Sequence, residues 1–392
     1  MPRPRIATRR VTALLRRSPA LAILGARQAG KSTLARLAFP GFVHIDLERP
    51  LDLARAQQDP EFLLSESPRL VIDEAQRLPE LFPILRSHLD RHPRQRVVLL
   101  GSASPGLVRS ISESLTGRIA FFELGGISIF EHDAEALWIR GGFPRLHWTR
   151  PRAAPADWYP SYLRTTLERD IPQLGFRIAT TRLRGLLTMV AHAQGNPCNL
   201  SELGGSLGVS YHSVARILDV FEGVFLVRRL PPYAAKLRKR LVKSPKLYVR
   251  DTGLLHSLLG IRHTKRAVLG HPKAGASFET FCIEQILLHA QLHDPAAQGF
   301  FFRTHTGQEV DLLLRVRGAL LPIEIKLGVA VPDLRGIATC MRDLGLAQGY
   351  VVNLVPEPIE IRRGIWMGGL RELLEELRLA PPAARKRRRS HA

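Results

Sequence analysis

Two groups of residues in this 392-residue chain have the types and spacing for phosphate chemistry. The first is Gly25-Ala26-Arg27-Gln28-Ala29-Gly30-Lys31-Ser32, with Thr33 after it, which meets the pattern G-x-x-x-x-G-K-[ST] at every fixed position. Gly25 and Gly30 let the backbone wrap an anion. The N–H groups from Arg27 through Thr33 and the N-terminus of the following helix supply a positive field, Lys31 reaches the outer phosphates and Ser32 ligates magnesium. A bound nucleoside triphosphate, ATP with Mg2+, is therefore expected here. The apolar run Leu70-Val71-Ile72 then delivers Asp73 and Glu74 at its end. Asp73 is expected in the magnesium shell. Glu74, one residue beyond the strand, is positioned to orient and polarise an attacking water, which favours hydrolysis over passive binding.

Two more residues complete this group. Ser102 follows the apolar run Val97 to Leu100 and puts a hydroxyl where a fourth strand, lying beside the first, would meet the γ-phosphate. Arg118 closes a helix from Ser110 to Leu115. From there it can neutralise transition-state charge on a neighbouring subunit's nucleotide, or offset the dipole of its own helix.

The second group lies near the C-terminus. Gln308 to Leu314 reads as a strand carrying Asp311, Arg317-Gly318-Ala319 as a turn, and Leu320 to Leu327 as the return strand with Glu324-Ile325-Lys326. A period of two puts Glu324 and Lys326 on one face. Glu279 stands on an amphipathic helix, Ser277 to Leu292. This D…E-x-K arrangement resembles the metal-dependent site of restriction-type nucleases, with Asp311 and Glu324 on magnesium, Lys326 stabilising phosphate charge and Glu279 completing the shell. A structural acid and lysine network closing the hairpin is the other reading. His289 and His293, four apart on that helix, have zinc-binding spacing but no third ligand nearby, and are read as a surface pair.

The elements that must position these groups follow from the apolar pattern. Leu21 to Leu24, Val43 to Asp46, Leu70 to Asp73, Val97 to Leu100 and Ile119 to Leu124 are short buried strands, separated by helical stretches. That alternation predicts a parallel sheet covered on both faces, with ligands at the carboxyl ends of its strands. Helix-length segments then take over, punctuated by Gly141-Gly142-Phe143-Pro144, and read as a helical lid. Leu200 to Leu207, a turn at Gly208 to Ser210, Tyr211 to Glu222 and a strand from Val224 to Leu230 make a winged-helix pattern. From Gly223 to Arg250 there are nine Lys or Arg and no acid. Lys236, Arg238, Lys239, Arg240, Lys243 and Lys246, with Arg216 on the second helix, are candidates to track the phosphates of DNA; a solvated basic surface is the alternative.

Composition sets the bounds. Lys plus Arg number 57 against 35 Asp plus Glu, a net charge of +22 that favours polyanionic partners. The three cysteines, Cys198, Cys282 and Cys340, are far apart, which excludes a disulfide scaffold and a four-cysteine zinc site and points to a reducing cytoplasm. No apolar run is long enough to span a bilayer, so no membrane association is expected. Nine basic residues precede the first acid, Asp46, but this stretch runs into a core strand and is not read as a transit peptide.

Taken in order, Gly25 to Thr33, Asp59-Pro60, Ile72 to Gln76, Gly101-Ser102, Leu115 to Arg118, Gly141 to Pro144, Leu167 to Asp170, Ser244 to Tyr248 and Asp251 to Leu254 resemble a large prokaryotic family that joins an AAA+-type ATPase module to a C-terminal domain of unknown function. The resemblance implies an α/β chain with a P-loop AAA+ core over 1–125, a helical lid over 126–179, a winged helix with its basic segment over 180–255, a restriction-endonuclease-like domain over 256–380 and a basic tail over 381–392. It also implies Walker A, Walker B, sensor and arginine roles for the residues above. The expected activity is Mg2+-dependent ATP hydrolysis acting on DNA, in a homo-oligomer if Arg118 works between chains. Its rivals are an ATP-switched regulatory protein with an inactive nuclease-like domain, and a winged-helix transcription regulator.

Overall fold

The structure is a computed structural model that describes residues 3–101, 111–149, 151–176, 178–233 and 244–379. It packs as two units, Met1–Ile127 with Phe143–Arg152 and Leu218–Leu226, and Ser128–Gly142 with Ala153–Ile217 and Val227–Ala392.

The first unit is built on β1 (Ala20–Leu24), β2 (Val43–Asp46), β3 (Arg69–Asp73), β4 (Arg96–Gly101) and β5 (Ile119–Glu123). They form one sheet in the order β2-β3-β4-β1-β5, parallel throughout. β1 and the middle of β3 and β4 are unbroken apolar runs because helices cover both faces. Leu63, Leu64, Phe82 and Leu85, from the helices Pro60–Ser65 and Leu81–Arg91, pack on Leu70, Ile72 and Leu99. The Asp59-Pro60 pair explains one helix start: Pro60 takes the first turn, where no N–H is needed, and Asp59 accepts the Phe62 N–H at 2.9 Å, a cap worth about 1 kcal/mol. The register pairs Leu24 with Gly101 and with Glu123, so the turn after β1 leaves the sheet's carboxyl edge between β4 and β5. As expected, the fourth strand lies beside the first.

In the second unit, the helices Thr180–His192 and Leu200–Leu207 and the first half of Tyr211–Gly223, whose residues from Leu218 on count with the first unit, precede a two-stranded antiparallel sheet of β6 (Val227–Leu230) and β7 (Lys246–Val249). The strand expected to begin at Val224 begins at Val227. Phe225 takes a left-handed backbone (φ 62°) and the Leu226 N–H bonds to Phe221 O, so a turn replaces the first three residues. The first glycine before Phe143 also has a local reason. Gly141 is left-handed (φ 84°), and a Cβ there would lie 2.0 Å from the Tyr159 hydroxyl and 2.3 Å from Asp251 Oδ1. Gly142 N–H and the Tyr159 hydroxyl both donate to Asp251, which also caps the helix Thr252–Leu258.

The rest of this unit is a mixed six-stranded sheet of β8 (Gln298–Arg303), β9 (Glu309–Val316), β10 (Ala319–Ile325), β11 (Gly349–Val352), β12 (Ile359–Arg362) and β13 (Ile365–Gly368), in the order β12-β13-β11-β10-β9-β8. The first three form an antiparallel meander, and β10 pairs in parallel with β11. The β9–β10 hairpin turns on two residues, Arg317 (φ 51°) and Gly318 (φ 78°). Two left-handed residues are what a tight hairpin matched to strand twist requires. The helix Ala274–His293 precedes the meander, beginning three residues before the expected Ser277, and Arg335–Leu344 joins β10 to β11. No described helix is long and apolar enough to cross a membrane.

Candidate functional site

The turn from β1 into the helix Lys31–Ala38 has the form its sequence demands. A Cβ on Gly25 would lie 2.6 Å from the Leu124 carbonyl oxygen, and the Leu124 N–H is itself bonded to Leu24 O at 2.7 Å. Only glycine fits between β1 and the exit of β5. Gln28 and Gly30 are left-handed (φ 63° and 96°), and these reversals bend the loop into a concave backbone that ends at the helix N-terminus, a ready anion site. Lys31 is buried and folds back along the loop, its ammonium donating to Gly25 O (2.9 Å) and Ala26 O (3.1 Å). Arg27 pairs with Glu48 at 3.1 Å, and Thr33 is exposed on the helix. Arg5 joins this loop without any signal in its residue type. Its guanidinium donates to Ala29 O in the loop and to Gly125 O and Gly126 O, and lies over the Trp148 ring, so it ties the loop to the chain leaving β5.

Asp73, at the end of β3, comes to the same edge. The Ser32 hydroxyl donates to Asp73 Oδ2 at 2.5 Å, which places together the hydroxyl and carboxylate that the sequence assigns to magnesium. Glu74 leaves the strand in a left-handed turn (φ 54°), an uncommon backbone for a non-glycine residue. Burial raises its pKa, and Lys31 and a hydrogen bond from Gln76 pull it back down. Gln76 thus holds the Glu74 carboxylate, a role that its residue type did not announce. Ser102, expected as sensor, lies outside the described residues. Arg118 is engaged within its own chain: Nε and Nη2 donate to the two oxygens of Asp90 at 2.6 and 2.9 Å. Acting on a second chain's nucleotide would require breaking that two-bond pair.

The C-terminal acids also converge. Asp311 and Glu309 share a face of β9, Glu324 is the last but one residue of β10, and Glu279 comes from the helix Ala274–His293. Lys326 lies 2.7 Å from Glu324 and 3.4 Å from Asp311, and Asp311 also accepts the Ile325 N–H at 2.9 Å. Burial, then the neighbouring Asp311, pushes up the pKa of both Glu279 and Glu324. Three residues of this cluster were not anticipated: Glu309, Tyr248 and Lys246. The Tyr248 hydroxyl donates to Glu279 at 2.5 Å. Among the described residues, no group of three or more His, Cys, Asp or Glu is arranged to hold a metal ion.

Lys246 corrects the sequence reading. It was grouped with the residues that would track DNA phosphates, but its side chain is 2% exposed and its ammonium lies 2.5 Å from Glu309, 3.5 Å from Glu279 and 3.7 Å from Asp311. Burial would lower its pKa; these carboxylates outweigh burial and raise it. Lys236, Arg238, Lys239, Arg240 and Lys243, and the basic tail, lie outside the described residues. Arg216 lies over the Phe176 ring, and Tyr211, at the start of its helix, is exposed. The histidine pair is corrected as well. His289 is not on the surface but fully buried, hydrogen-bonded to the Ser128 hydroxyl at 2.8 Å.

Three family profiles match in order: an AAA domain (AAA_14) over residues 17–132, a domain of unknown function (DUF8612) over 131–265 and a domain of unknown function (DUF4143) over 274–373. The chain is 40% identical over 355 residues to "Uncharacterized protein Rv2008c" of Mycobacterium tuberculosis and, equally, to "Uncharacterized protein Mb2031c" of Mycobacterium bovis, covering 89% of this chain and 79% of each relative. Among solved structures, the Walker-type ATPase PABY2304 of Pyrococcus abyssi aligns over 66% of this chain and 98% of its own at 16% identity (TM-score 0.43). Domain III of the Thermotoga maritima replication initiation protein DnaA aligns over 55% and 89%, also at 16% identity (TM-score 0.26). The nucleotide loop, the parallel sheet that carries it and the identity to the mycobacterial proteins lead to one assignment: this chain belongs to their family, with the architecture of an AAA+-type ATPase module followed by a C-terminal domain of unknown function.

Proposed function

We propose that the protein binds and hydrolyses ATP with Mg2+ at the carboxyl edge of β1 and β3, and that the nucleotide state governs how its C-terminal region engages DNA. The observation that carries this reading is the contact of Ser32 with Asp73 at 2.5 Å, beside Lys31 and within one residue of Glu74. The pair fits a small hard cation, which takes oxygen ligands from a hydroxyl and a carboxylate together with phosphate oxygens. When bound, such an ion neutralises charge on the outer phosphates. The chain's own residues do the rest. The loop N–H groups cradle the phosphates, Lys31 moves from its carbonyl partners to the phosphate oxygens, and Glu74, held by Gln76, orients the attacking water and takes up its proton. A buried, pKa-raised carboxylate is a competent base for that task. A reducing cytoplasm, read from the three separate cysteines, and assembly into a homo-oligomer through Arg118 are part of the reading.

DNA is proposed as partner on the charge of the chain and on the basic run that ends at Lys243, which supplies affinity without sequence readout. The nuclease-like reading of Glu279, Asp311, Glu324 and Lys326 is supported by their convergence at the β9–β10 hairpin. A second reading, an ATP-switched binding protein whose nuclease-like domain does not cut, is favoured by the burial of Lys246 among those acids.

Steady-state ATP turnover by purified protein, with and without DNA, tests the first reading. Glu74→Gln is expected to keep ATP binding and to lower turnover by about 10² to 10⁴, and Lys31→Ala to lose binding. Turnover unchanged in Glu74→Gln would refute the hydrolytic assignment.

A further inference from the structure

The acid cluster of the C-terminal sheet is completed by a strand that belongs to a different sheet. β7 runs Lys246-Leu247-Tyr248-Val249 with all four residues buried. Its period of two sends Lys246 and Tyr248 to the same side, where both meet Glu279. The Lys246 ammonium has carboxylate oxygens of Glu309, Glu279 and Asp311 at 2.5, 3.5 and 3.7 Å, with the Phe301 ring 5.6 Å away. An ammonium so enclosed meets the electrostatic need that a divalent ion would meet: it separates carboxylates that otherwise repel one another in a buried site.

Other contacts engage the same carboxylates. Glu279 Oε1 takes the Tyr248 hydroxyl, Asp311 Oδ2 takes the Ile325 N–H and faces Lys326, and Glu309 Oε2 faces Arg303 at 3.1 Å. Glu324 Oε2 is buried and has no hydrogen-bond partner. Magnesium is held by one or two carboxylates in an octahedron filled out by waters, and here the carboxylates already face an ammonium.

We infer that Lys246 is the resident cation of this site, seated between the carboxylates that a nuclease metal would need, so that the C-terminal sheet is a lysine-filled scaffold and not a metal-dependent nuclease. The nuclease-like reading supplies only the class of site that is being displaced; ATP hydrolysis at the other unit does not enter. Lys326 is different in kind. It is 47% exposed against 2% for Lys246 and stands at the rim, paired with Glu324 and Asp311 on its inner side.

The test is Mn2+ binding to the full chain without nucleotide, followed by the electron paramagnetic resonance signal of free Mn2+. Wild type and Asp311→Asn are expected to bind the same number of ions, because the cluster holds none in either. Lys246→Met, checked for folding by circular dichroism, is expected to gain one ion per chain, and Lys246→Met with Asp311→Asn to lose it again. A wild-type Mn2+ that disappears in Asp311→Asn would overturn the inference, as would a folded Lys246→Met that gains no ion. If Lys246→Met fails to fold, the comparison of wild type with Asp311→Asn still decides, and plasmid cleavage with Mn2+ that Asp311→Asn abolishes counts against the inference in the same way. ATP turnover, read in parallel, reports on the other unit, so the two readings fail separately.

Discussion

Glu284, on the long helix Ala274–His293, receives the guanidiniums of Arg228 from β6 and Arg250 from the end of β7, the latter at 3.0 Å. The three side chains are 17%, 13% and 18% exposed for Arg228, Arg250 and Glu284, so solvent screens the contact little. Burial alone would raise the Glu284 pKa; the two arginines reverse that and bring it from 4.5 to about 2. At about 1.4 kcal/mol per pH unit, the difference corresponds to roughly 3 kcal/mol of stability. Breaking a buried pair by removing one partner costs about 3 to 5 kcal/mol, so two routes agree on the scale. The sign follows from the lowered pKa: the contribution is present above about pH 4.5 and is lost as pH falls towards about 2. Glu284→Gln, which keeps the shape and removes the charge, is therefore expected to lower the melting temperature at neutral pH by roughly 6 to 12 °C, taking about 2 to 4 °C per kcal/mol for a unit of this size. Thermal melts by circular dichroism measure it. Replacing Glu284 with Leu together with Arg228→Met and Arg250→Met should recover most of the loss, because the penalty lies in charges left behind, not in the absence of a salt bridge. A shift under about 2 °C in Glu284→Gln would show that the triad is not a structural tie between the β6–β7 sheet and the long helix.

Three further outcomes are expected. Gly25→Ala puts a Cβ 2.6 Å from Leu124 O and should abolish ATP binding in a filter assay with the far-ultraviolet spectrum intact; retained affinity would mean that the loop and the exit of β5 are not held so close. Burial pushes the pKa of His256 from 6.5 down to about 4 and that of His289 down to about 3. The unfolded chain therefore binds their protons first, and stability falls as pH drops below about 6.5, by about 2 kcal/mol for each histidine at about pH 5; urea melts across that range check it, and replacing both histidines with Gln should flatten the dependence. If the basic run binds DNA without Lys246, five contacts remain, and the log–log salt slope should be near −4.5; a gel-shift titration giving a flat response would remove DNA as partner.

The nucleotide site was legible because its chemistry is local. Eight consecutive residues make the loop, and the reason for Gly25 and Gly30 is a backbone property carried by the residue type itself. Asp73 was legible because an apolar strand in a parallel sheet has a known carboxyl end. What escaped depends on partners distant in sequence or on backbone sign. Nothing in the sequence says that Glu74 turns left-handed, which is what returns its carboxylate to Gln76. The sequence leaves Arg118 open between a neighbouring nucleotide and its own helix dipole, and does not show its pairing with Asp90, 28 residues away, because Asp90 is ordinary in its own context. Arg5 read as one more cation of a basic N-terminal stretch, yet it is a buried donor to three carbonyls.

Lys246 differs from its neighbours in a way its residues already show. It stands last in a run without acids, and charge runs usually lie in solvent. Its immediate setting differs from that of the run. It opens the strand Lys-Leu-Tyr-Val, and a lysine that alternates with a tyrosine in an otherwise apolar strand points inward with it. A buried lysine requires an acidic partner. The requirement also runs the other way: once Glu279, Asp311 and Glu324 are placed at one hairpin, Lys326 is a single cation against three carboxylates, and a site sealed from water does not sustain that imbalance. A second cation had to come from elsewhere in the chain or from a bound metal. The strand supplies it, and the choice between those two sources decides whether this domain cuts or holds.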